Sequence, residues 1–451
     1  MGMLKIIGGN PLMGEVTAGG AKNAITKMLV ASLISDRTCF FRNVPNISEV
    51  EMTVALCQEI GMEVQWDQKE HTMQVRSPEL KTTYIPQRFS GANRIPILMI
   101  GALLGRTDAD IVVPTVGGCK IGKRPVDFHL QALTSLGATI EYREMKKDGA
   151  YFAQSHQGLT GTIIDLPYPS VGATENTILA ACRAKGTTVI KNAAMESEVL
   201  DLILFLQKMG VSIQVDVNRT IYVKETKEFH DVEHTVIPDR IVGASLGMAA
   251  IATKGSVFVR DARQDHLVTF LNKLREIGGD FRVYNDGIEF RYRKPLVGNL
   301  HLETAVHPGF MTDWQQPFVV LLTQVTGTSV IHETVYENRF GYTTTLCEMG
   351  ADIHSFNECL GGHICRFAKR DFPHSIVIKG STPLTGQNIS IPDLRAGFAY
   401  VMAALIAEGE SNIDNLQFLD RGYEDLTEKL SLLGAKIERH AKKDLLTSQT
   451  L

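Results

Sequence analysis

The sequence predicts an α/β protein made of two pseudo-symmetric halves, each holding three repeated α/β units. The first observation is that an apolar residue, a glycine and a strand-like run recur six times. The recurring glycines are roughly 75 residues apart, a period too long for one solenoid repeat, and they are Gly61, Gly137, Gly210, Gly278, Gly350 and Gly434. The second observation is that each interval contains two stretches with the apolar pattern of a helix.

The stretch before each of these glycines is predicted to be an amphipathic helix. Its apolar face is clearest in the fourth unit, at Leu267, Phe270, Leu271, Leu274 and Ile277. A glycine directly after the last periodic residue supplies the left-handed position that ends such helices. The β-branched run that follows is predicted to be a strand.

A second, more uniformly apolar stretch occurs once per unit and is predicted to be a core helix that also stops at a glycine. Its copies begin near Lys22, Arg94, Gly172, Arg240, Asp313 and Asp393. Three units make roughly 225 residues, enough for one core, which favours two halves. The charged stretch 225–234 is the predicted seam, and two halves of this kind predict a ligand cleft between them.

Composition excludes several classes of protein. Hydrophobic residues make up 44% of the 451 residues and the formal net charge is −4, so neither a disordered chain nor a binder of nucleic acid or anionic membrane is predicted. The longest apolar runs are too short to span a bilayer. Seven scattered cysteines favour free thiols in a reducing cytosol, hence a cytoplasmic protein. Most of them, Cys39, Cys57, Cys182 and Cys347, are interpreted as small core residues.

The second unit contains a glycine-rich loop at residues 114–127 that its siblings lack. Residues 117–123 nearly match the phosphate-binding P-loop, but Arg124 stands where Ser or Thr would ligate Mg²⁺. The loop therefore favours a phosphate without a metal. Cys119 is flanked there by glycines and by Lys120 and Lys123, a setting that lowers a thiol pKa and favours a reactive role.

Several core helices are predicted to begin with charged residues. Capping explains aspartates such as Asp239. It does not explain Lys22 or Arg94, because a cation at a helix N-terminus is unfavourable unless an anion joins it. With Arg421, these positions predict converging anion sites, and solvated surface charge is the alternative. Cys359, His363 and Cys365 lack a second pair at zinc-finger spacing, so they are interpreted as a coincidence near a strand end.

Seven motifs together resemble the UDP-N-acetylglucosamine enolpyruvyl transferase family, nearly end to end and in the family's order. They are GGAKNAI around Lys22, GGCKIGKRPVDFH around Cys119, PSVGATEN at 169–176, TDWQQP at 312–317, ENRF at 337–340, PDLRAG at 392–397 and DRGYE at 420–424. The resemblance implies an inside-out α/β barrel fold of two domains with the active site in the cleft. The implied domains are 22–235, which carries the cysteine loop, and 1–21 plus 236–451.

The resemblance also implies the reaction. Enolpyruvate passes from phosphoenolpyruvate to the 3-hydroxyl of UDP-N-acetylglucosamine, and phosphate is released, as the first committed step of peptidoglycan synthesis. The route is an addition–elimination through a tetrahedral ketal, which needs a general acid, a base and cations. The resemblance implies no cofactor and no metal.

Roles follow from the matched positions. Cys119 matches the general acid that forms an adduct with phosphoenolpyruvate and is alkylated by fosfomycin, and Asp313 matches the candidate base. The implied phosphoenolpyruvate contacts are Lys22, Asn23, Arg124, Arg395 and Arg421, with Asp393 near the reacting centre. The implied contacts of the nucleotide sugar are Arg94, Arg124, Pro125, Val126, Asp127, Phe128, Tyr168, Ser170, Val171, Asp313 and Val335.

Two departures and two alternatives accompany this prediction. Val116 stands where the family has proline before Gly-Gly-Cys, and Ser48 where some members carry a basic residue; the match at Tyr168 is looser. The sister transferase that acts on shikimate 3-phosphate shares the fold but lacks the loop cysteine. A non-catalytic nucleotide-sugar sensor would be indicated by loss of Cys119, Asp313 or Arg421, and all three are present.

Overall fold

Six small sheets and twelve α-helices make up the described part of the computed structural model, which comprises residues 2–117, 126–145, 149–362, 365–392 and 394–441. The side chains of residues 394, 395 and 441 are not among those described. The helices are α1 (Lys22–Ala31), α2 (Ser48–Ile60), α3 (Pro96–Leu104), α4 (Asp127–Ser135), α5 (Val171–Ala181), α6 (Ser197–Lys208), α7 (Arg240–Ala252), α8 (Gln264–Glu276), α9 (Thr312–Leu322), α10 (Thr343–Glu348), α11 (Leu394–Ile406) and α12 (Leu426–Leu432).

The strands are short, as expected for small repeated units. They are β1 (Gly2–Ile7), β2 (Met13–Thr17), β3 (Cys39–Arg42), β4 (Glu63–Asp67), β5 (Thr72–Arg76), β6 (Ile111–Pro114), β7 (Thr139–Arg143), β8 (Ala150–Gln154), β9 (Ile163–Asp165), β10 (Thr187–Lys191), β11 (Ile213–Asp216), β12 (Thr220–Lys224), β13 (Val232–Thr235), β14 (Ser256–Arg260), β15 (Asp280–Tyr284), β16 (Gly287–Arg291), β17 (His301–Glu303), β18 (Gly327–His332), β19 (Asp352–Phe356), β20 (Ser375–Gly380), β21 (Asn388–Ser390), β22 (Glu410–Asp414) and β23 (Lys436–Ala441).

Each sheet repeats one strand order. A short edge strand runs parallel to the strand that follows the core helix, and two antiparallel strands continue the sheet, as in β9-β10-β12-β11 and β17-β18-β20-β19. In the second unit the edge strand is reduced to one parallel bridge, between Tyr84 and Val112. The predicted repeat and α/β class are confirmed.

The six predicted glycine C′ positions are all left-handed. The φ angles are 122° at Gly61, 103° at Gly137, 101° at Gly210, 84° at Gly278, 111° at Gly350 and 94° at Gly434. The second expectation, that every core helix also stops at a glycine, is correct for α3, which ends at Gly105. It is wrong for α5, α7 and α9, whose C-caps are Cys182, Thr253 and Thr323, and for α1. That helix passes into a 3₁₀ turn at Ser32–Ile34, and the next glycine is Gly61.

The chain divides into two compact units, and the chain crosses between them near residues 19–20 and 237–238. Residues 20–237, apart from the loop outside the described part, form one unit, in which the edge strand β13 pairs with β3. Residues 2–19 and 238–441 form the other. There β2 is the edge strand of β14, and β1 lies between β22 and β23 to complete the sixth sheet.

Core helices fill the centre of each unit. In the unit of residues 20–237, α3 is buried along its whole length and α1 and α5 nearly so. In the other, α7 is buried at every residue and α9 at all but one, so sheets and amphipathic helices surround apolar helices. Cys39, Cys57 and Cys182 lie in the core as predicted, and burial raises the pKa of Cys182 to about 12. Cys347 was predicted to be buried but is exposed on α10.

Candidate active site

Part of the predicted site lies outside the described residues. Cys119, Arg124, Pro125 and Asp393 fall there, as does the side chain of Arg395, and their roles remain predictions. The base of the glycine-rich loop is described up to Gly117. The backbone amide of Gly91 donates to the Thr115 carbonyl at 3.2 Å. A Cβ on Gly117 would lie 2.0 Å from the Gly91 oxygen, so a glycine is required where the loop leaves β6.

Lys22 is the first residue of α1 and its side chain is buried. Ala21, the N-cap, has no side chain that can cap, and the first turn contains no acidic residue. The backbone amide of Ala21 donates to the Ile237 carbonyl at 2.8 Å, which fixes the point where the helix starts. A buried ammonium group at the positive end of a helix favours binding of an anion. Asn23 follows it, half-buried.

The charges of Arg94 and Asp127 both influence Tyr151 on β8. Burial raises the pKa of Tyr151, the negative charge of Asp127 raises it further, and the positive charge of Arg94 opposes the shift. Arg94 lies two residues before Pro96, the first residue of α3, and Asp127 begins α4. Two predicted contacts of the nucleotide sugar, 33 positions apart in the sequence numbering, therefore both act electrostatically on one tyrosine.

A buried polar contact joins the start of α4 to the middle of α5. The His129 ring Nδ1 lies 3.2 Å from the Asn176 side-chain nitrogen. A Cβ at Gly172 would lie 3.0 Å from the same ring. This packing places Val126, Asp127 and Phe128 near the turn that begins α5, where the Ser170 hydroxyl accepts from the Ala173 amide at 3.4 Å as the N-cap.

The other members of this group lie at the same turn. The Ser170 amide donates to the Tyr168 carbonyl at 2.7 Å. Val171 and Phe128 are half-buried and pack against the core of this unit, as does Val116. The described nucleotide-sugar candidates of residues 20–237 therefore cluster at the N-terminal ends of α3, α4 and α5.

In the unit of residues 2–19 and 238–441, Asp313 is held by a buried arginine. The Arg339 guanidinium donates to the Asp313 carboxylate at 2.9 Å, and its side chain is 0% exposed. Two motifs that the sequence presents separately, TDWQQP and ENRF, thus meet in one ion pair. A fixed carboxylate of this kind can accept a proton from a substrate hydroxyl.

Glu333 links the start of α9 to Val335. One carboxylate oxygen accepts from the Thr312 hydroxyl at 2.8 Å, and the other accepts from the backbone amides of Val335 at 2.8 Å and Tyr336 at 3.0 Å. The Arg366 guanidinium donates to the Val335 carbonyl. Burial raises the pKa of Glu333, and the positive charge of Arg339 opposes that shift.

Arg421 lies in a turn that is anchored on both sides. Before it, Asp420 accepts two hydrogen bonds from Arg439, at 2.8 and 2.7 Å. After it, the Tyr423 ring stacks on Phe398 with centroids 5.0 Å apart, and its hydroxyl lies 3.2 Å from the Ser245 hydroxyl. The backbone at Arg421 is therefore held in place from both sides.

The charges at the start of α7 have a structural explanation. Asp239 is a true N-cap, accepting from the amides of Ile241 at 2.8 Å and Val242 at 3.2 Å. The Arg240 guanidinium lies 5.7 Å from the Trp314 ring, and its carbonyl accepts from the indole N–H at 3.3 Å. The capping interpretation is correct for Asp239.

Sequence reasoning missed three buried residues that position these candidates: Asn176, Glu333 and Arg339. Asn176 and Arg339 lie inside motifs that were singled out, and Glu333 precedes one, but no periodicity or spacing indicates a polar partner. The signal available was a charged or amide residue within an otherwise apolar helix or beside a strand end, where it needs a partner.

Comparisons with known proteins show which family the chain belongs to. Residues 6–430 match the family model described as EPSP synthase (3-phosphoshikimate 1-carboxyvinyltransferase). A UDP-N-acetylglucosamine 1-carboxyvinyltransferase from Protochlamydia amoebophila is 68% identical over 437 residues, covering 97% of this chain and 94% of the relative. Proteins of the same name from Chlamydia pneumoniae and Staphylococcus aureus are 54% and 38% identical, with 97% of this chain covered in each case.

The chain belongs to the UDP-N-acetylglucosamine 1-carboxyvinyltransferase family. As a member of that family it is an enolpyruvyl transferase. Two solved structures show the same fold at low identity. NikO, an enolpyruvyl transferase from Streptomyces tendae, has a TM-score of 0.85 at 22% identity over 97% of this chain and 99% of its own. An EPSP synthase from Acinetobacter baumannii has a TM-score of 0.73 at 18% identity over 98% and 100%. Among the described residues, no helix is long and apolar enough to cross a bilayer.

Proposed function

We propose that this enzyme transfers enolpyruvate from phosphoenolpyruvate to the 3-hydroxyl of UDP-N-acetylglucosamine and releases phosphate, in the cytoplasm, as the first committed step of peptidoglycan synthesis. The observation that carries the proposal is the 68% identity over 97% of the chain to a relative of that name. Cys119, Asp313, Lys22 and Arg421 are all retained in the sequence.

Asp313 is the proposed base for the sugar hydroxyl. Its ion pair with Arg339, at 2.9 Å, fixes one carboxylate oxygen and therefore the direction of the side chain. The hydroxyl oxygen adds to C2 of phosphoenolpyruvate while Cys119 donates a proton to C3. Loss of a proton from C3 and departure of phosphate then restore the double bond, so the C–O bond breaks and the P–O bond stays intact.

Cations stabilise the departing phosphate in this proposal. Lys22 is a buried ammonium group at the start of α1, and Arg421 stands in an anchored turn. Arg124 and Arg395 complete the proposed set around phosphoenolpyruvate, with Asn23 and Asp393. Electrostatic stabilisation of developing charge by prepositioned donors is commonly the largest contribution to enzymatic rate enhancement.

The nucleotide sugar is proposed to bind at the N-terminal ends of α3, α4 and α5. Backbone amides at helix starts suit a diphosphate, and Arg94, two residues before the start of α3, adds a positive charge. The remaining proposed contacts are Pro125, Val126, Phe128, Tyr168, Ser170, Val171 and Val335. Fosfomycin is proposed to alkylate Cys119.

The test is phosphate release from phosphoenolpyruvate in the wild type and in Cys119→Ala, with UDP-N-acetylglucosamine, with shikimate 3-phosphate or with no acceptor. We expect release only with the sugar nucleotide, and its loss in the variant. Release with shikimate 3-phosphate would instead indicate the activity of the sister transferase, which uses that acceptor. A folded wild type that binds the sugar nucleotide without releasing phosphate would indicate a sensor. Mass spectrometry after fosfomycin treatment should show one adduct, absent from Cys119→Ala.

A further inference from the structure

Two cysteines and two histidines converge at the end of the fifth sheet. His332 is the last residue of β18, His374 directly precedes β20, and Cys359 and Cys365 lie in the connection 357–374 between β19 and β20. One ligand atom from each of the four side chains lies within 4.8 Å of the others. None of the four is a residue of the candidate active site.

The distances are those of a tetrahedral metal site. The two Sγ atoms are 3.6 Å apart, and Cys359 Sγ lies 3.4 Å from His374 Nε2. A tetrahedral zinc ion, with Zn–S about 2.3 Å and Zn–N about 2.0–2.1 Å, places two sulfurs about 3.8 Å apart and sulfur and nitrogen about 3.5 Å apart. Sulfurs joined in a disulfide would be about 2.05 Å apart.

His332 gives independent evidence for a ligand. Its side chain is 0% exposed, and neither ring nitrogen makes a hydrogen bond. Nδ1 lies 3.4 Å from the Glu303 carboxylate, outside hydrogen-bond geometry. A buried imidazole with no hydrogen bond is costly unless something else takes its lone pair. Because Nδ1 lies on the side of Glu303, Nε2 is the nitrogen left to coordinate an ion.

The surroundings supply the outer contacts that metal ligands use. The His374 ring Nδ1 lies 3.1 Å from the Phe372 carbonyl, which holds its proton there and leaves Nε2 to coordinate. The Phe367 amide donates to Cys365 Sγ at 3.3 Å. A Cβ on Gly361 would lie 2.3 Å from His332 Nδ1, so only glycine lets the connection approach this closely.

We propose that His332, Cys359, Cys365 and His374 bind a structural zinc ion. Two thiolates and two imidazoles select zinc over magnesium or calcium, and four protein ligands leave no open position for catalysis. The corresponding connections in other sheets are short, at 68–71, 217–219 and 285–286, whereas this one runs from 357 to 374. The ion would hold this longer connection, through Cys359 and Cys365, against the ends of β18 and β20.

The sequence interpretation of Cys359 and Cys365 as a coincidence near a strand end did not include this partnership. The sequence interpretation grouped the two cysteines with His363, which lies outside the described residues. The two histidines that complete the cluster come from positions 332 and 374, and no finger-type spacing links them to the cysteines. Only the register of β18 and β20, which pairs His332 with Ser375, brings them together.

The test uses the full-length chain without a histidine tag, purified without chelator from zinc-supplemented medium. Elemental analysis should find one zinc per chain in the wild type and none in Cys359→Ser or His374→Gln. Cys347→Ser is the matched control, because Cys347 is a free, exposed cysteine of the same unit, and it should keep its zinc. Wild type stripped with a chelator should unfold at a lower temperature and recover when zinc alone is returned.

Three outcomes would overturn the proposal. They are a metal-free wild type, zinc retained by both ligand variants, and peptide mapping that finds Cys359 and Cys365 joined in a disulfide in freshly purified protein. If the ligand variants fail to fold, cobalt substitution of the wild type decides instead. Cobalt bound by two sulfurs and two nitrogens should give the visible absorption of tetrahedral thiolate coordination, and the spectrum of octahedral cobalt would count against the site.

Discussion

The side-chain carbonyl of Asn176 in α5 accepts a hydrogen bond from the backbone amide of Gly101 in α3, at 3.0 Å. The same side chain donates to the Ile97 carbonyl at 3.1 Å, so one amide bonds two backbone groups a single turn apart. A Cβ on Gly101 would lie 2.2 Å from the Asn176 oxygen. Close contact of α3 and α5 therefore depends on glycine at one position and an amide at the other.

Gly101→Ala should destabilise the protein even though alanine is the better helix former. The added methyl group has to displace Asn176, and overpacking of a core typically costs about 1–3 kcal/mol. Gly243→Ala in α7 is the control, because its Cβ would meet only the Ala262 methyl group at an ordinary 3.6 Å. Urea unfolding compares the two; equal stability of both variants would contradict the packing argument.

Arg339→Gln should lower both stability and turnover. The change leaves Asp313 without the guanidinium at 2.9 Å, and breaking a buried ion pair from one side costs about 3–5 kcal/mol. Arg339→Lys should recover part of both, since it keeps the charge but loses the planar fork. Arg293→Gln is the control, because Arg293 makes an exposed pair with Asp280 of the kind worth less than about 1 kcal/mol. If Arg339→Gln behaves like Arg293→Gln in unfolding and phosphate-release assays, Arg339 does not position Asp313.

Glu333→Ala should raise KM for the nucleotide sugar more than it lowers kcat. The Thr312 hydroxyl and two backbone amides, those of Val335 and Tyr336, would lose their acceptor, at about 1–3 kcal/mol for each group left buried and unsatisfied. Glu333→Gln should be milder, because its carbonyl can still accept from the two amides and the Thr312 hydroxyl can turn to accept. Steady-state kinetics with both variants separates the effects, and equal defects would mean that charge, not hydrogen bonding, is what matters.

Much of the fold could be predicted because its signals are local. A helix that ends at a left-handed glycine leaves a pattern within a few residues, and all six such glycines have φ between 84° and 122°. The predicted helix starts near Lys22 and Gly172 lie within one residue of the first residues of α1 and α5. The family motifs then supplied roles that spacing alone could not.

The remaining features depend on contacts between distant positions. The edge strand β2 precedes α1 in the chain but pairs with β14, and β13 precedes α7 but pairs with β3; hydrophobic patterning does not specify such partners. The ion pair of Asp313 with Arg339 and the cluster at His332 have the same origin. Each is created by strand register or helix packing, which a single sequence does not display.

Glu175→Gln should stabilise the protein increasingly as pH rises. Glu175 lies within α5, and burial raises the pKa of its carboxyl group from 4.5 to about 8, with Glu198 and Glu196 adding to the shift and Lys27 opposing it. Between these values the folded protein holds a proton that the unfolded chain has released, so wild-type stability falls as pH rises from about 4.5 to about 8. Each unit of pKa shift corresponds to about 1.36 kcal/mol, which makes the total a few kcal/mol.

Because glutamine does not titrate, Glu175→Gln should not show the fall in stability between pH 4.5 and about pH 8 that the wild type shows. Thermal unfolding at pH 5 should find the variant close to the wild type, and at pH 8 it should be clearly more stable. Glu70→Gln is the control, because Glu70 lies in the exposed turn between β4 and β5, and its difference from wild type should not grow with pH. A Glu175→Gln variant that is less stable than wild type at pH 8 would mean that the carboxylate is ionised and held by a partner such as Lys27, whose charge the glutamine would leave uncompensated.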